Sequence, residues 1–448
     1  MKTVLIKNAT LVNEGEQYVA SVLIQGEKIK QIFHHPEDPL LAEALPFPEA
    51  DEVIDATNKL LLPGVIDDHV HFRDPGLTDK GNLISESRAA AAGGVTSYMD
   101  MPNCLPQTTT LEALSDKQAR AAAESRVNYS FYFGATHDNA ELLSHLDRHS
   151  VCGVKLFMGS STGNMLVDQR KDLERIFGAT DLLIATHCED STRIAANAAR
   201  YCKELYTEDP DIKYHSLIRD VEACYTSTAL AVELADRFKA NLHVLHLSTQ
   251  KELNLFQSTP LAEKRITSEA CIAHLLFNER NYATLGTRIK CNPAIKAETD
   301  QAALIAALHT GRIDLIATDH APHLLREKNG GALKAASGMP SLQFSLISML
   351  DNFSYPLVVE KMCHAPAQRF GIEQRGYVRE GYQADLVLVS PYTPWTLATE
   401  GILSKCGWSP FEGHTFTHRV ARTFVNGETV FDEGILYDEV RGQALYFH

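Results

Sequence analysis

Hydrophobic and polar residues fall into two textures along the chain. Near the start, VLIKNATLVN (4–13) and SVLIQGEKIKQI (21–32) are β-branched runs broken at Asn13-Glu14-Gly15 and Gln25-Gly26-Glu27, the pattern of short strands joined by turns. A stretch rich in proline and acid follows at 34–52 and reads as a surface connection. The first texture returns far downstream in ADLVLVSP (384–391) and RVARTFVNGETVF (419–431), the latter with a hairpin signal at Asn426-Gly427. The two ends are therefore expected to pair into one small β-domain. Between them, short apolar runs alternate with longer amphipathic segments, as in βα units. Strands are predicted near 64–71, 95–101, 129–134, 152–158, 182–187, 241–247, 264–270 and 314–319, with helix-like stretches at 111–126, 190–204 and 215–238. This predicts an α/β fold: a (β/α)8 TIM-type barrel over 61–370, with 1–60 and 371–448 supplying the two parts of the β-domain.

Composition narrows the function classes. Lys and Arg number 42 against 57 Asp and Glu in 448 residues, a net charge of −15, the wrong sign for a protein that tracks a nucleic-acid backbone. Nine cysteines are scattered without a Cys-x-x-Cys pair and read as reduced thiols. The apolar run after Met1 is too short for a signal-peptide core, and no run approaches a membrane span. The expectation is a soluble, cytoplasmic, acidic protein whose partner is a small molecule.

The candidate chemistry lies in the barrel. In PGVIDDHVHFRDPG (63–76), His69 and His71 are one residue apart at the end of an apolar run, so they share one face of a strand. Alone they fit either half a metal site or a solvated strand face. His187 in LLIATHCED, His246 in NLHVLHLS and Asp319 in IDLIATDHAPH each stand where a strand gives way to a polar loop, the catalytic end of a parallel barrel. Singly, each has a plain reading as a loop cap or a helix N-cap. His243, three residues before His246, is expected on the opposite face in a structural role. Lys155 sits inside the apolar strand GVKLF, where an ammonium is costly. It either snorkels from the strand end, pairs with a carboxylate or, as a neutral amine, takes up CO₂ to become an anionic carbamate ligand. Arg73 shares the face of His71, free for a carboxylate or paired with Asp67, Asp68 or Asp74.

Together these residues resemble the amidohydrolase superfamily. Within it HVHFRDPG, YMDMPNCLPQTT, VKLFMGSS, THCED, DHAPHLLREK and SPFEGHTF resemble the longer, class I type of dihydroorotase over essentially the whole chain. The resemblance implies two zinc ions: one on His69, His71 and Asp319, the other on His187 and His246, bridged by a hydroxide and by carboxylated Lys155. The formal charge of such a cluster is roughly +1, suited to an anionic substrate. It also implies Asp319 as the catalytic base, Arg73, Asn103 and His323 on a substrate carboxylate, Asn292 on the ring, and a homo-oligomer. The implied reaction is the reversible hydrolysis of dihydroorotate to N-carbamoyl-L-aspartate in pyrimidine biosynthesis. Alternatives are a hydantoinase- or allantoinase-like hydrolase of neutral rings, or an inactive scaffold.

The chain departs from the family pattern at Ile272-Ala273-His274-Leu275, at Ala294-Ile295-Lys296 and at Gln343. These departures bear on the strand-seven wall and the loop over the substrate, and touch no implied metal ligand; His274 is given no role. Gly330, Gly331 and Gly338 make 324–340 either a mobile lid or an ordinary exposed loop.

Overall fold

The computed structural model describes residues 1–36, 46–159 and 165–448. Eight strands form one parallel sheet in sequential order: β1 (Val65–Val70), β2 (Val95–Asp100), β3 (Asn128–Gly134), β4 (Gly153–Phe157), β5 (Ile184–His187), β6 (Leu242–Val244), β7 (Ile266–Cys271) and β8 (Leu315–Ala317). The ends of the sheet meet through a bridge between Val70 and His320, and His71 N donates to His320 O at 2.7 Å. The result is a nearly closed TIM-type barrel. Its strands are buried on both faces, which is why they read as continuous apolar runs. Tyr129, Phe131 and Phe133 of β3 join the core beneath the helices, while Tyr132 packs with Ile66, Met99, Ala185 and Leu245 in the barrel interior.

The outer helices start where the sequence supplies a cap. Asn82 and Ser85 exchange capping bonds at Leu83–Ala92, and Thr110 caps Leu111–Glu124. Asp190 caps Ser191–Glu204. The helix predicted over 215–238 is two pieces, His215–Ile218 and Val221–Phe238. Asp220 opens the second by accepting from Ala223 N at 2.9 Å. Strands β6 and β8 stop short of their predicted ends because His246 and Asp319 adopt φ of 41° and 48°, which removes them from the ladder.

A second, mixed sheet is built from both ends of the chain. Leu60–Pro63 pairs antiparallel with Leu386–Ser390 and thereby joins the N-terminal strands to the C-terminal ones. Asn426 and Gly427, at φ 50° and 79°, make the expected two-residue hairpin turn. Part of the predicted 34–52 connection, 37–45, lies outside the described residues. All nine cysteines are free thiols. Among the described residues no helix is long and apolar enough to cross a membrane.

A buried polar network fastens the sheet to the barrel. Asp385 is ion-paired with Arg375 and accepts from Asn426 N at 2.8 Å and from Asn128 Nδ2, on β3, at 3.1 Å. Asp385→Ala leaves the Arg375 guanidinium buried without its carboxylate, and urea unfolding should show a loss of about 3–5 kcal/mol. A loss below about 1 kcal/mol would assign the junction to apolar packing alone.

Candidate active site

All ten residues that the sequence singles out line one cavity of about 380 Å³ at the C-terminal mouth of the barrel. His69 and His71 come from the end of β1, Lys155 from β4, His187 from β5, His246 from just beyond β6 and Asp319 from just beyond β8. Arg73, His246 and Asp319 hold φ of 69°, 41° and 48°. Left-handed backbone at non-glycine residues is strained, and here it turns each side chain off its strand toward the cavity.

Two groups of donors face each other. Asp319 Oδ1 lies 3.3 Å from His69 Nε2 and 3.1 Å from His71 Nε2. Across the mouth, His187 Nδ1 and His246 Nε2 are 2.9 Å apart. Outer partners fix three of the rings. Glu269 Oε1 is 2.6 Å from His69 Nδ1, Asn103 Oδ1 is 2.7 Å from His71 Nδ1, and Glu189 Oε2 is 2.8 Å from His187 Nε2. Each such bond places a proton on the outward nitrogen and turns the other lone pair inward, the arrangement of metal-ligating histidines. The buried Nδ1 of His246 has no hydrogen-bond partner among the described residues. Nitrogen and carboxylate donors at this spacing suit a divalent metal.

The electrostatics follow from burial. Burial pushes the Asp319 carboxyl up, but His69 and His71 outweigh it and hold it at about 2. Burial lowers His71 to about 4 against the pull of Asp319. The Lys155 amine, 1% exposed, is brought down to about 8 by desolvation, with Asp319 and Glu269 opposing. It lies 4.4 Å above the Phe157 ring and makes no ion pair with a carboxylate among the described residues, so the ion-pair alternative has no partner among them.

Arg73 likewise lacks the acid partner that its sequence neighbours offered. Asp67 accepts from Thr318 Oγ1 at 2.6 Å, Asp68 faces His243, and Asp74 accepts from Leu83 N. Asn103 serves His71 with its oxygen, so only its amide nitrogen remains for a ligand. Asn292 Oδ1 accepts from Ser337 Oγ at 3.1 Å. His274 approaches the Pro293 carbonyl at 2.9 Å and so steadies the segment that carries Asn292. Gln343 bonds Gly401 O and Leu403 N, away from the cavity, so this departure leaves the substrate wall untouched.

The 324–340 segment is not an ordinary exposed loop. Buried Lys328 donates to the carbonyls of Lys290, Ala336 and Gly338, and Asp209 accepts from three of the segment's amides. Ser337 and Gly338 thereby form part of the cavity wall.

Expectation and structure part at His243. It faces the barrel interior beneath the cavity instead of the opposite side, with Thr267, Asp68 and Glu269 around it. The left turn at His246 breaks the two-residue alternation on which the parity argument rests. Sequence reasoning also passed over Glu269 and Glu189. A lone acid inside the apolar strand ITSEAC was the available signal for Glu269, and an acid two residues beyond His187 was the signal for Glu189.

Glu189→Gln replaces a carboxylate that orients His187 with a neutral amide. Divalent-metal affinity, measured by competition with a chromophoric chelator, should fall about 10–100-fold. Unchanged affinity would take His187 out of the ligand set.

Known proteins share this architecture. The model of the amidohydrolase family matches residues 60–430. A dihydroorotase from Halobacterium salinarum is 35% identical over 379 residues, 83% of this chain and 86% of that protein. An allantoinase from Bacillus velezensis is 30% identical over 442 residues, 96% and 94% of the two chains. The structure of an L-hydantoinase from Arthrobacter aurescens superposes with a TM-score of 0.90 at 27% identity, covering 98% of both chains. These three relatives carry three different activities in their names, and what they share with this chain is the barrel and the family. With a nearly closed parallel barrel, a cavity of histidine and carboxylate donors at its C-terminal mouth, and these matches, the chain belongs to the amidohydrolase family.

Proposed function

We propose that this protein is a metal-dependent dihydroorotase, interconverting (S)-dihydroorotate and N-carbamoyl-L-aspartate in pyrimidine biosynthesis. Arg73 carries the substrate reading. Its side chain is 9% exposed in the cavity wall, and among the described residues no carboxylate pairs with it. Its Nε donates to Pro322 O at 3.1 Å, and its Nη2 lies 3.1 Å from His323 Nε2. The other His323 nitrogen faces a second cation, Lys80 Nζ, at 3.2 Å. Burial and these two cations hold His323 neutral, at about 2. A neutral imidazole offers one lone pair and no charge, and Lys80 has its own acid in Glu327 at 2.8 Å, so the Arg73 guanidinium is the cation left without an anion among the described residues. A substrate carboxylate would satisfy the surplus N–H groups; a neutral ring would leave them unmatched.

The donor set fits divalent metal: His69, His71 and Asp319 would hold one ion, His187 and His246 would hold a second, and a carbamate on Lys155 would add an anionic ligand. When bound, such ions polarise the ring amide and bring the pKa of water toward neutrality. The chain supplies orientation and proton transfer. Arg73, His323 and the Asn103 amide hold the carboxylate and so fix the ring carbonyl for attack. Asp319, ionised at neutral pH, takes the proton of the attacking water and returns it to the departing ring nitrogen. Lys155 supports the carbamate reading because its lowered amine has a neutral fraction near pH 8 that can add CO₂.

Arg73→Met should raise KM for dihydroorotate roughly 10–100-fold, the value of a hydrogen-bonded charge contact, with metal content unchanged. Steady-state kinetics on dihydroorotate beside hydantoin and allantoin checks this. An unaltered KM, or wild-type turnover confined to the neutral rings, would turn the assignment toward allantoinase or hydantoinase chemistry. Asp319→Ala should lower kcat by at least about 100-fold even in excess zinc; substantial residual turnover would exclude it as the proton carrier.

A further inference from the structure

Beneath the cavity, on the interior face of the barrel, a second group of ligand-type side chains converges. Asp68 on β1, His243 on β6 and Glu269 on β7 are each fully buried, and one ligand atom from each lies within 4.8 Å of the other two. His243 Nε2 is 3.4 Å from Asp68 Oδ2 and 3.3 Å from Glu269 Oε2. Neither carboxylate oxygen of Asp68 has a hydrogen-bond partner among the described residues. An enclosed carboxylate left so is costly.

The far side of the imidazole determines what Nε2 presents. Nδ1 lies 2.9 Å from Thr267 Oγ1, whose own proton goes to the Leu242 carbonyl at 3.3 Å. Thr267 therefore accepts from Nδ1–H, and Nε2 is left facing two carboxylates. Three electron-rich donors around one point require a cation there. Either a proton on Nε2 or a metal ion can supply it.

Spacing separates the two cations. A charge-assisted N–H···O⁻ bond closes to about 2.7–2.9 Å, and His69 Nδ1 reaches 2.6 Å on the other oxygen of the same Glu269. A tetrahedron with metal–ligand bonds of about 2.0–2.1 Å has edges of about 3.3–3.4 Å, the separations found around His243 Nε2. The edges from Asp319 Oδ1 to His69 and His71, 3.3 and 3.1 Å, are of the same kind.

We propose that Asp68, His243 and Glu269 form an additional zinc-type metal site, buried beneath the catalytic ligands and tying β1, β6 and β7 together from inside the barrel. Thr267 is the outer partner that orients the histidine. Glu269 joins the two levels, one oxygen on His69 and the other on the lower ion.

The test uses full-length protein reconstituted with zinc alone, desalted and analysed for metal by mass spectrometry, beside Asp68→Val and Asp68→Asn. Wild type should carry one zinc per chain more than either variant. Crystals of the wild type should show an anomalous peak at the zinc edge about 2 Å from His243 Nε2. Equal zinc content in all three proteins overturns the proposal, and so does a map with no peak at that position. The map decides by itself if the variants fail to fold. Zinc retained by the variants counts the upper ligands alone, so failure of the lower site and failure of the catalytic metal reading give different numbers.

Discussion

The site depends on one seam, the closure of the barrel between its first and last strands. Asp67, wholly buried on β1, accepts from both the hydroxyl and the amide of Thr318 beyond β8, and His71 N donates to His320 O. Those bonds lie within two or three residues of His69, His71 and Asp319. They set the 3.1–3.3 Å separations at which two imidazoles share one carboxylate oxygen. An open sheet would leave Asp319 at one edge and the two histidines at the other.

Around that seam the protein concentrates several costs. Three non-glycine residues hold left-handed backbone, and among the described residues a lysine amine is enclosed without an ion-paired acid and an arginine in the wall bonds a carbonyl and an imidazole. The amine and the guanidinium are the groups to which the proposed function assigns a counterpart, a carbamate ligand to metal for the first and a substrate carboxylate for the second. A chain of net charge −15 thus has a cavity whose unmatched side chains are cationic. Field lines from such groups in an enclosed mouth favour a small anion.

The carboxylates behind the histidines give the arrangement its rigidity. Glu269 and Glu189 fix two imidazoles and Asn103 a third, so the inward nitrogens are set before any ligand binds. That Glu269 also faces His243 and Asp68 means the layer below the site and the site itself share one side chain. Among the described residues the terminal sheet contributes no group to the cavity; its Asp385 network holds β3 from outside.

The order of βα units and the split β-domain were legible in the sequence because strands buried on both faces are unbroken apolar runs and turns carry their own residues, as at Asn426-Gly427. The cavity-lining His187, His246 and Asp319 were legible because a histidine or acid that closes such a run stands at the mouth of a parallel barrel, where side chains from separate strands converge. Tertiary structure decided what spacing cannot carry. It turned His246 and Asp319 off their ladders, which reversed the expected facing of His243. It gave the oxygen of Asn103 to His71, put Gln343 outside the cavity and, among the described residues, left Arg73 without an acid. Those outcomes depend on which distant strand supplies the neighbour, and a pattern with a period of two residues holds no information about a partner two hundred positions away.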